Sequence, residues 1–367
     1  MVMDLYRELR EENGNILENC KRQIMQHQEI VLYGAGVSGT VISKWLQDNN
    51  IFLKAFVDSN PDKAGTLVNG IKVYQKQELE GSFGHSFIIV SCGDYAVILE
   101  ELMSMGVSKD RVMYIDPKWI TCPNGLREFI DNSISKLQEA FELLEDDLSR
   151  NVFVNMLKYK VTYNTEYIKA VCSNWEERYF DSQLMGKKEI KNFVDAGGYT
   201  GDTVDAFIRK FSGGGYSDIY VFEPNKANMQ QLRSNMENNK YHNIHMFEMG
   251  LSDKAEELRF DTSSGIATRI DERGKEKIVC DKLDNVLGDK QVDLIKMDIE
   301  GSELCALLGG EKVIKKYKPI LAICVYHKPE DYYEIPIWIK KTCPDYKIYF
   351  RQYELSDTET ICYAIGG

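Results

Sequence analysis

The chain is predicted to be an α/β protein made of two doubly wound Rossmann-like domains joined by a helical connector, on three observations. Short apolar runs alternate with helical stretches in two separate series. A glycine-rich turn follows the first strand of each series, at Gly34–Gly39 and at Gly197–Gly201. Between the series, residues 121–189 read as helix throughout. The expected divisions are residues 1–120, 121–189 and 190–367. In the first, residues 1–29 read as one or two polar helices, and Glu29–Gly39 is a strand running into a turn and a helix through Trp45 and Leu46. Phe52–Val57 is a second strand, broken by Asn60-Pro61-Asp62; Ile71–Tyr74, Phe87–Ser91 and Val112–Ile115 follow, with a helix near Tyr95–Met105. The connector carries Ile130, Ile134, Leu137, Phe141 and Leu144 at helical spacing, and Tyr179-Phe180-Asp181 closes it as a lid or an anchor. The last division reads as a seven-stranded sheet: Phe193–Asp195, Ile219–Glu223, Ile244–Glu248, Leu294–Asp298, Ile320–Val325, Lys347–Phe350 and Thr360–Ala364. Two extra strands, Glu257–Asp261 and Lys277–Lys282, interrupt it, and Gly213-Gly214-Gly215 marks a surface turn.

Composition narrows the function. At 367 residues the chain has room for two cores, and its net charge of −12 argues against a nucleic-acid binder. No apolar run approaches the ~20 residues that a bilayer-spanning helix needs. The start MVMDLYRELREENG is acidic and lacks the order of a signal peptide. Nine cysteines are scattered without a CxxC pair or paired His spacing, so neither a disulfide frame nor a zinc site is expected, and the cytoplasm is the expected location. The partners expected are a small-molecule or glycan acceptor and no nucleic acid; a homo-oligomer stays open.

The stretch NFVDAGGYTGD, from Asn192 to Asp202, is a strand followed by a glycine turn, and IYVFEPN delivers Glu223 at the end of the next strand. That offset presents a carboxylate to a ribose in a doubly wound sheet. The turn holds no Lys to cradle a phosphate, which favours S-adenosylmethionine (SAM) over a dinucleotide or ATP. In LIKMDIEGSE, Lys296, Asp298 and Glu300 alternate onto one face and the strand end opens into the ligand crevice. Asp298 and Glu300 suit the orientation or deprotonation of a hydroxyl, or a divalent cation as a lesser expectation. Glu303 equally suits a helix N-terminus, and Glu300 a solvated position. His327, after the next strand, fits either a base or a structural residue satisfied by backbone.

Taken together, FVDAGGYTGDT, VFEPN, Gly250-Leu251-Ser252-Asp253, KLDNVL and KMDIEGSE resemble the FkbM family of SAM-dependent methyltransferases, over roughly Tyr179 to Ile365. The resemblance implies a class I methyltransferase sheet. It implies that Asp195, Gly197, Gly198, Thr200 and Gly201 form the cofactor loop and that Glu223 and Asn225 flank the ribose. It further puts Ser252 and Asp253 near adenine and gives Asp298, Glu300 and His327 the catalytic positions. Val325-Tyr326 stands where many members carry a carboxylate. The acceptors implied are hydroxyls of sugar-bearing molecules.

The first division resembles the Rossmann-like domain in front of sugar-modifying enzymes. GAGVSG, with Gly34, Gly36 and Gly39, and Asp58 stand as a second nucleotide site, for a nucleotide sugar or for NAD, or else the domain is a scaffold. The expected activity is O-methylation of a sugar-containing acceptor. The alternatives are an NAD-dependent oxidoreductase or epimerase acting on a nucleotide sugar, and a non-catalytic nucleotide-sugar binding protein.

Overall fold

The computed structural model describes residues 5–10, 16–91, 95–121, 126–186, 188–211, 215–261, 269–270 and 276–366; Gly213 and Gly214 of the expected surface turn lie outside them. The chain divides into two compact units. One comprises Arg7–Asp131 and Leu157–Asn164, the other Met1–Tyr6, Asn132–Met156 and Thr165–Gly367.

The first unit is built on strands β1 (Ile30–Tyr33), β2 (Ala55–Asp58), β3 (Leu67–Val68), β4 (Ile71–Gln75), β5 (Phe87–Val90) and β6 (Val112–Tyr114), in the order β3-β4-β2-β1-β5-β6. Every pairing is parallel except β3 on β4. All residues of β1, β2 and β5 are buried, as continuous apolar runs in a covered parallel sheet require. The second strand starts later than Phe52, because Phe52 is 75% exposed while Ala55–Asp58 lie inside. The short edge strand β3 carries no apolar alternation and was not expected from sequence.

The second unit holds β7 (Asn192–Ala196), β8 (Asp218–Phe222), β9 (Ile244–Phe247), β10 (Gly250–Leu251), β11 (Glu256–Asp261), β12 (Arg269–Ile270), β13 (Glu276–Asp281), β14 (Leu294–Met297), β15 (Ile320–Cys324), β16 (Lys347–Gln352) and β17 (Thr360–Ile365). Seven of these make one sheet in the order β16-β17-β15-β14-β7-β8-β9. Only β17 runs against its neighbours. The seven strands are those read from sequence, with ends shifted by one or two residues. The two extra strands, β11 and β13, pair antiparallel and join β10 and β12 in a separate four-stranded sheet, a grouping that no sequence pattern announced. In the large sheet β7 lies beside β14, and the chain proceeds outward from them in both directions. This reversal is the switch point outside which a crevice opens at the strand ends.

Helices Arg127–Glu142 and Asp147–Thr162 form most of the expected connector. Leu144 and Cys172 bridge Ile348 and Gln352, which covers the outer edge of β16. Phe180 packs against Phe193, Phe207 and Phe211 in the core beside the large sheet, which anchors this segment, while the neighbouring Tyr179 reaches the cavity described below.

Candidate active site

The turn after β7 depends on a glycine. Gly197 has φ +86°, and a Cβ there would lie 1.9 Å from the carbonyl oxygen of Asp298, so no side chain fits between the ends of β7 and β14. Gly197 and Gly198 both donate backbone N–H groups to Phe222 O, at 2.9 and 3.0 Å. This folds the turn over β8 and brings Tyr199 N within 2.9 Å of Glu223 Oε2. The other oxygen, Oε1, accepts from Asn225 N at 2.8 Å. Asn225 itself caps the helix Lys226–Asn238, its side chain accepting from Ala227 N and Asn228 N. Glu223 is buried, and burial holds its carboxyl above the usual range against the two backbone bonds.

Below the turn, Lys296 Nζ lies 2.9 Å from Asp195 Oδ1 and donates to Gly197 O at 2.7 Å. Both side chains are buried. Burial pushes the Asp195 carboxyl up to about 6, still below neutral pH, while Asp195 keeps the Lys296 ammonium charged despite its own burial. The pair is ionic at pH 7 and ties β7 to β14.

Asp298, one residue past β14, accepts from Tyr179 OH at 2.8 Å and from Tyr326 OH at 3.0 Å. Burial would raise its carboxyl, but Lys296, His327 and the two hydroxyls outweigh it and hold the value below the usual range. Glu300 and Gly301 both have left-handed backbones, φ +56° and +93°, and turn the chain into the helix Glu303–Gly309. His327 Nε2 lies 3.4 Å from Asp298 Oδ1 and 3.7 Å from Glu300 Oε2, and its Nδ1 lies 2.9 Å from Glu303 Oε1. Burial works against the charged imidazole, yet Glu303, Asp298 and Glu300 raise His327 above its ordinary value. Asp298, Glu303 and His327 each bring one ligand atom within 4.8 Å of the others.

A cavity opens at these strand ends, lined among others by Tyr199, Glu223, Leu251, Asp298, Glu300 and Glu359. Of the residues singled out in the sequence, Gly197, Glu223, Asp298 and Glu300 line it, and His327 stands against Asp298 and Glu300. Gly198 and Gly201 pack against β8 and the following helix, where a Cβ would meet Val221 or Met236. Thr200 contributes its carbonyl to Asn235, at 2.8 Å. At the expected adenine end, Gly250 and Leu251 form the lining; Ser252 is buried and bonds Glu256 and Asp253.

Arg178, Tyr326 and Glu359 complete the site without having been assigned to it from sequence, and Tyr179, expected as part of a lid or an anchor, joins them. Arg178 donates to Glu359 at 2.8 Å and stacks on Trp175, and Tyr179 OH reaches Glu359 at 3.3 Å. Backbone strain marks this group. Of the ten non-glycine residues described with positive φ, Tyr179, Tyr199, Glu300 and Glu359 all line the cavity.

In the first unit Gly34, Gly36, Gly39 and Asp58 also come together. A Cβ on Gly39 would lie 2.0 Å from Gly34 O, whereas Gly36 faces open space at the start of the helix Val37–Asp48. Asp58 accepts from Ala35 N at 2.7 Å, Asn60 N at 2.8 Å and Lys63 Nζ at 2.9 Å.

Residues 195–344 match the Methyltransferase FkbM domain model, and residues 26–113 match C2185-like, N-terminal. A methyltransferase FkbM from Methylobacillus flagellatus KT shares the fold, with TM-score 0.69 at 20% identity over 94% of this chain and 93% of that one. An rRNA methylase from Streptococcus thermophilus aligns over 48% of this chain and 86% of its own, with 13% identity and TM-score 0.32. UDP-D-quinovosamine 4-dehydrogenase from Vibrio fischeri aligns over 24% and 78%, with 26% identity and TM-score 0.21. No curated protein matches the chain significantly. The C-terminal region, across residues 195–344, is thus an FkbM methyltransferase domain.

Proposed function

We propose that the chain is a SAM-dependent O-methyltransferase acting on a hydroxyl of a sugar-containing acceptor. The observation that carries this reading is Glu223. Its carboxylate ends β8 at the cavity, each oxygen holds one backbone N–H, and among the described residues no ion pair ends on it. Oε2 keeps a lone pair for a ribose hydroxyl, and at Oε1 the only further donor is the Asn228 side-chain amide at 3.5 Å, a long contact that a hydroxyl could replace. The glycine turn beside it gives a nucleoside room without offering a phosphate cradle.

In the transfer, the acceptor oxygen forms a bond to the methyl carbon as the bond from sulfur to that carbon breaks. The sulfur leaves with the electron pair as a neutral thioether, and the hydroxyl proton passes to the group formed by Asp298, Glu300 and His327. Holding the two reactants in line supplies much of the acceleration. Tyr179 and Tyr326 fix the Asp298 carboxylate from two sides, which suits it to aim the hydroxyl.

The N-terminal unit is read as a scaffold in this scheme. Lys63 Nζ and Ala35 N both end on Asp58 Oδ2, so this carboxylate already has a cation partner within its own unit, and Oδ1, held by Asn60 N, is the oxygen with room for a hydroxyl. An NAD-dependent reaction centred on Gly34–Asp58 would meet the same charge-paired carboxylate.

The test is transfer from SAM labelled in its methyl group to a panel of nucleotide sugars and oligosaccharides. Label in a base-stable ether on the sugar is the expected result. Label released by mild base, as from a methyl ester, or label on an amine would contradict hydroxyl methylation.

A further inference from the structure

One buried atom in the cluster around His327, Glu303 Oε2, lacks a hydrogen-bond partner among the described residues, while His327 Nδ1 faces the other oxygen of the same carboxylate at 2.9 Å. Glu303 is 0% exposed and the His327 side chain 10%. A polar atom buried in this way is normally satisfied by protein, water or an ion, because stripping it of water is costly, and more so for a charge. The cluster also carries excess negative charge. Asp298, Glu300 and Glu303 surround a single imidazole, and no Lys or Arg among the described residues forms an ion pair with Asp298 or Glu303. Two neighbouring ammonium groups make their direct contacts elsewhere: Lys296 with Asp195 and Gly197 O, and Lys328 with Gly301 O.

We propose that Asp298, Glu303 and His327 form a binding site for one divalent transition-metal cation, of the Mn²⁺ or Zn²⁺ class. Their ligand atoms lie within 4.8 Å of one another. Ligands bound at ~2.1 Å stand roughly 3–4 Å apart, so small side-chain movements close the site. One imidazole and two carboxylates suit these ions better than Mg²⁺, which takes oxygen ligands and keeps its water. The outer contacts of such a site are already in place. Ile299 N donates to Glu303 Oε1 at 2.9 Å, and Tyr179 and Tyr326 hold Asp298. Groups of this kind fix ligand orientation and raise affinity.

A cation was a lesser expectation at Asp298 and Glu300; the ligand set with Glu303 and His327 could not be read from sequence, because the two come from separate strand-to-helix turns. The ion would stand beside the cavity wall at Asp298. If the methyl transfer proposed above is right, it would draw the acceptor hydroxyl toward its ionised form at neutral pH.

The test needs no acceptor. Full-length protein freed of metal by EDTA and dialysis is titrated with MnCl₂, followed by calorimetry and electron paramagnetic resonance. One Mn²⁺ per chain is expected, with nitrogen coupling from a bound imidazole in the pulsed spectrum of the wild type. His327→Gln should abolish that coupling and weaken binding at least tenfold, and Glu303→Gln should weaken it about as much. No binding up to millimolar Mn²⁺ or Zn²⁺, or bound Mn²⁺ without nitrogen coupling, would overturn the proposal and leave a protonated His327 balancing the carboxylates. SAM titrated separately into the same preparation distinguishes this failure from failure of the methyltransferase reading.

Discussion

At Asp58 and at Glu223, a carboxylate at a strand end accepts the backbone N–H of the glycine-rich turn beside it. Ala35 supplies that donor in the first unit and Tyr199 in the second. Each carboxylate also accepts from the residue two positions on, Asn60 or Asn225, at 2.8 Å in both. The two turns differ in the next donor. At Asp58 it is the Lys63 ammonium at 2.9 Å, whereas at Glu223 it is the neutral Asn228 amide at 3.5 Å, and no cation pairs with Glu223 among the described residues. The consequences have opposite sign. Burial would raise Asp58, but the Ala35, Lys63 and Asn60 donors outweigh it and hold the carboxyl below its usual value. At Glu223 burial wins. The same strand–turn–helix pattern therefore yields a charge-paired acid in one unit and an acid without a cation partner, facing a cavity, in the other. A GxGxxG-like turn followed by an acid reports the backbone geometry; the occupancy of the carboxylate decides whether a ligand has anything to bind.

The sharpest way to break the comparison is at the glycines. Gly197→Ala and Gly39→Ala each place a Cβ about 2 Å from a backbone carbonyl oxygen, and backbone cannot step aside cheaply. Each should destabilise its unit by ~3 kcal/mol or more. Gly36→Ala meets nothing within 4 Å and should change stability by no more than about 0.5 kcal/mol. Thermal unfolding of the three variants checks this, and a tolerated Gly197→Ala would contradict the close contact between the ends of β7 and β14.

Acid titration sharpens the contrast with smaller effects. A carboxyl lowered on folding contributes stability that is present above its unfolded pKa and lost as pH falls through the folded value. Lys63→Met should therefore cost up to ~1 kcal/mol near pH 6, given the half-exposed lysine, and the cost should vanish near pH 3. A carboxyl raised on folding behaves oppositely, its stabilisation present below the unfolded pKa and lost as pH rises through the folded one. Glu223→Gln should accordingly gain stability relative to wild type as pH rises from 4 to 7. Melting temperatures across that range decide both, and matching trends for the two variants would erase the distinction.

Much of the architecture was legible because buried strands write themselves as apolar runs. All seven strands of the large sheet were found, and so were the two glycine turns. The short strands β3, β10 and β12 were not, since two residues carry no period. The site was legible where one segment delivers its own chemistry, as at Gly197, Glu223 and Asp298. It was illegible where contacts join distant segments. Tyr179 meets Asp298 across 119 residues, and Arg178 meets Glu359 across 181, with nothing in either neighbourhood to predict the pairing. The strained backbones at Tyr179 and Glu359 mark such residues only once the fold is known. Asp58 shows the converse, a motif acid whose donors are hidden until Lys63 is seen folded back onto it.

The central claim is that SAM binds at Glu223 and that the corresponding acid at Asp58 takes no part. Calorimetric titration of SAM into the wild type, Glu223→Gln and Asp58→Asn tests it directly. One SAM per chain is predicted for the wild type, with affinity reduced about tenfold or more in Glu223→Gln, because a charged acceptor for two hydroxyls is lost, and unchanged in Asp58→Asn. No SAM binding at millimolar concentration, or binding that survives Glu223→Gln and fails in Asp58→Asn, would contradict it.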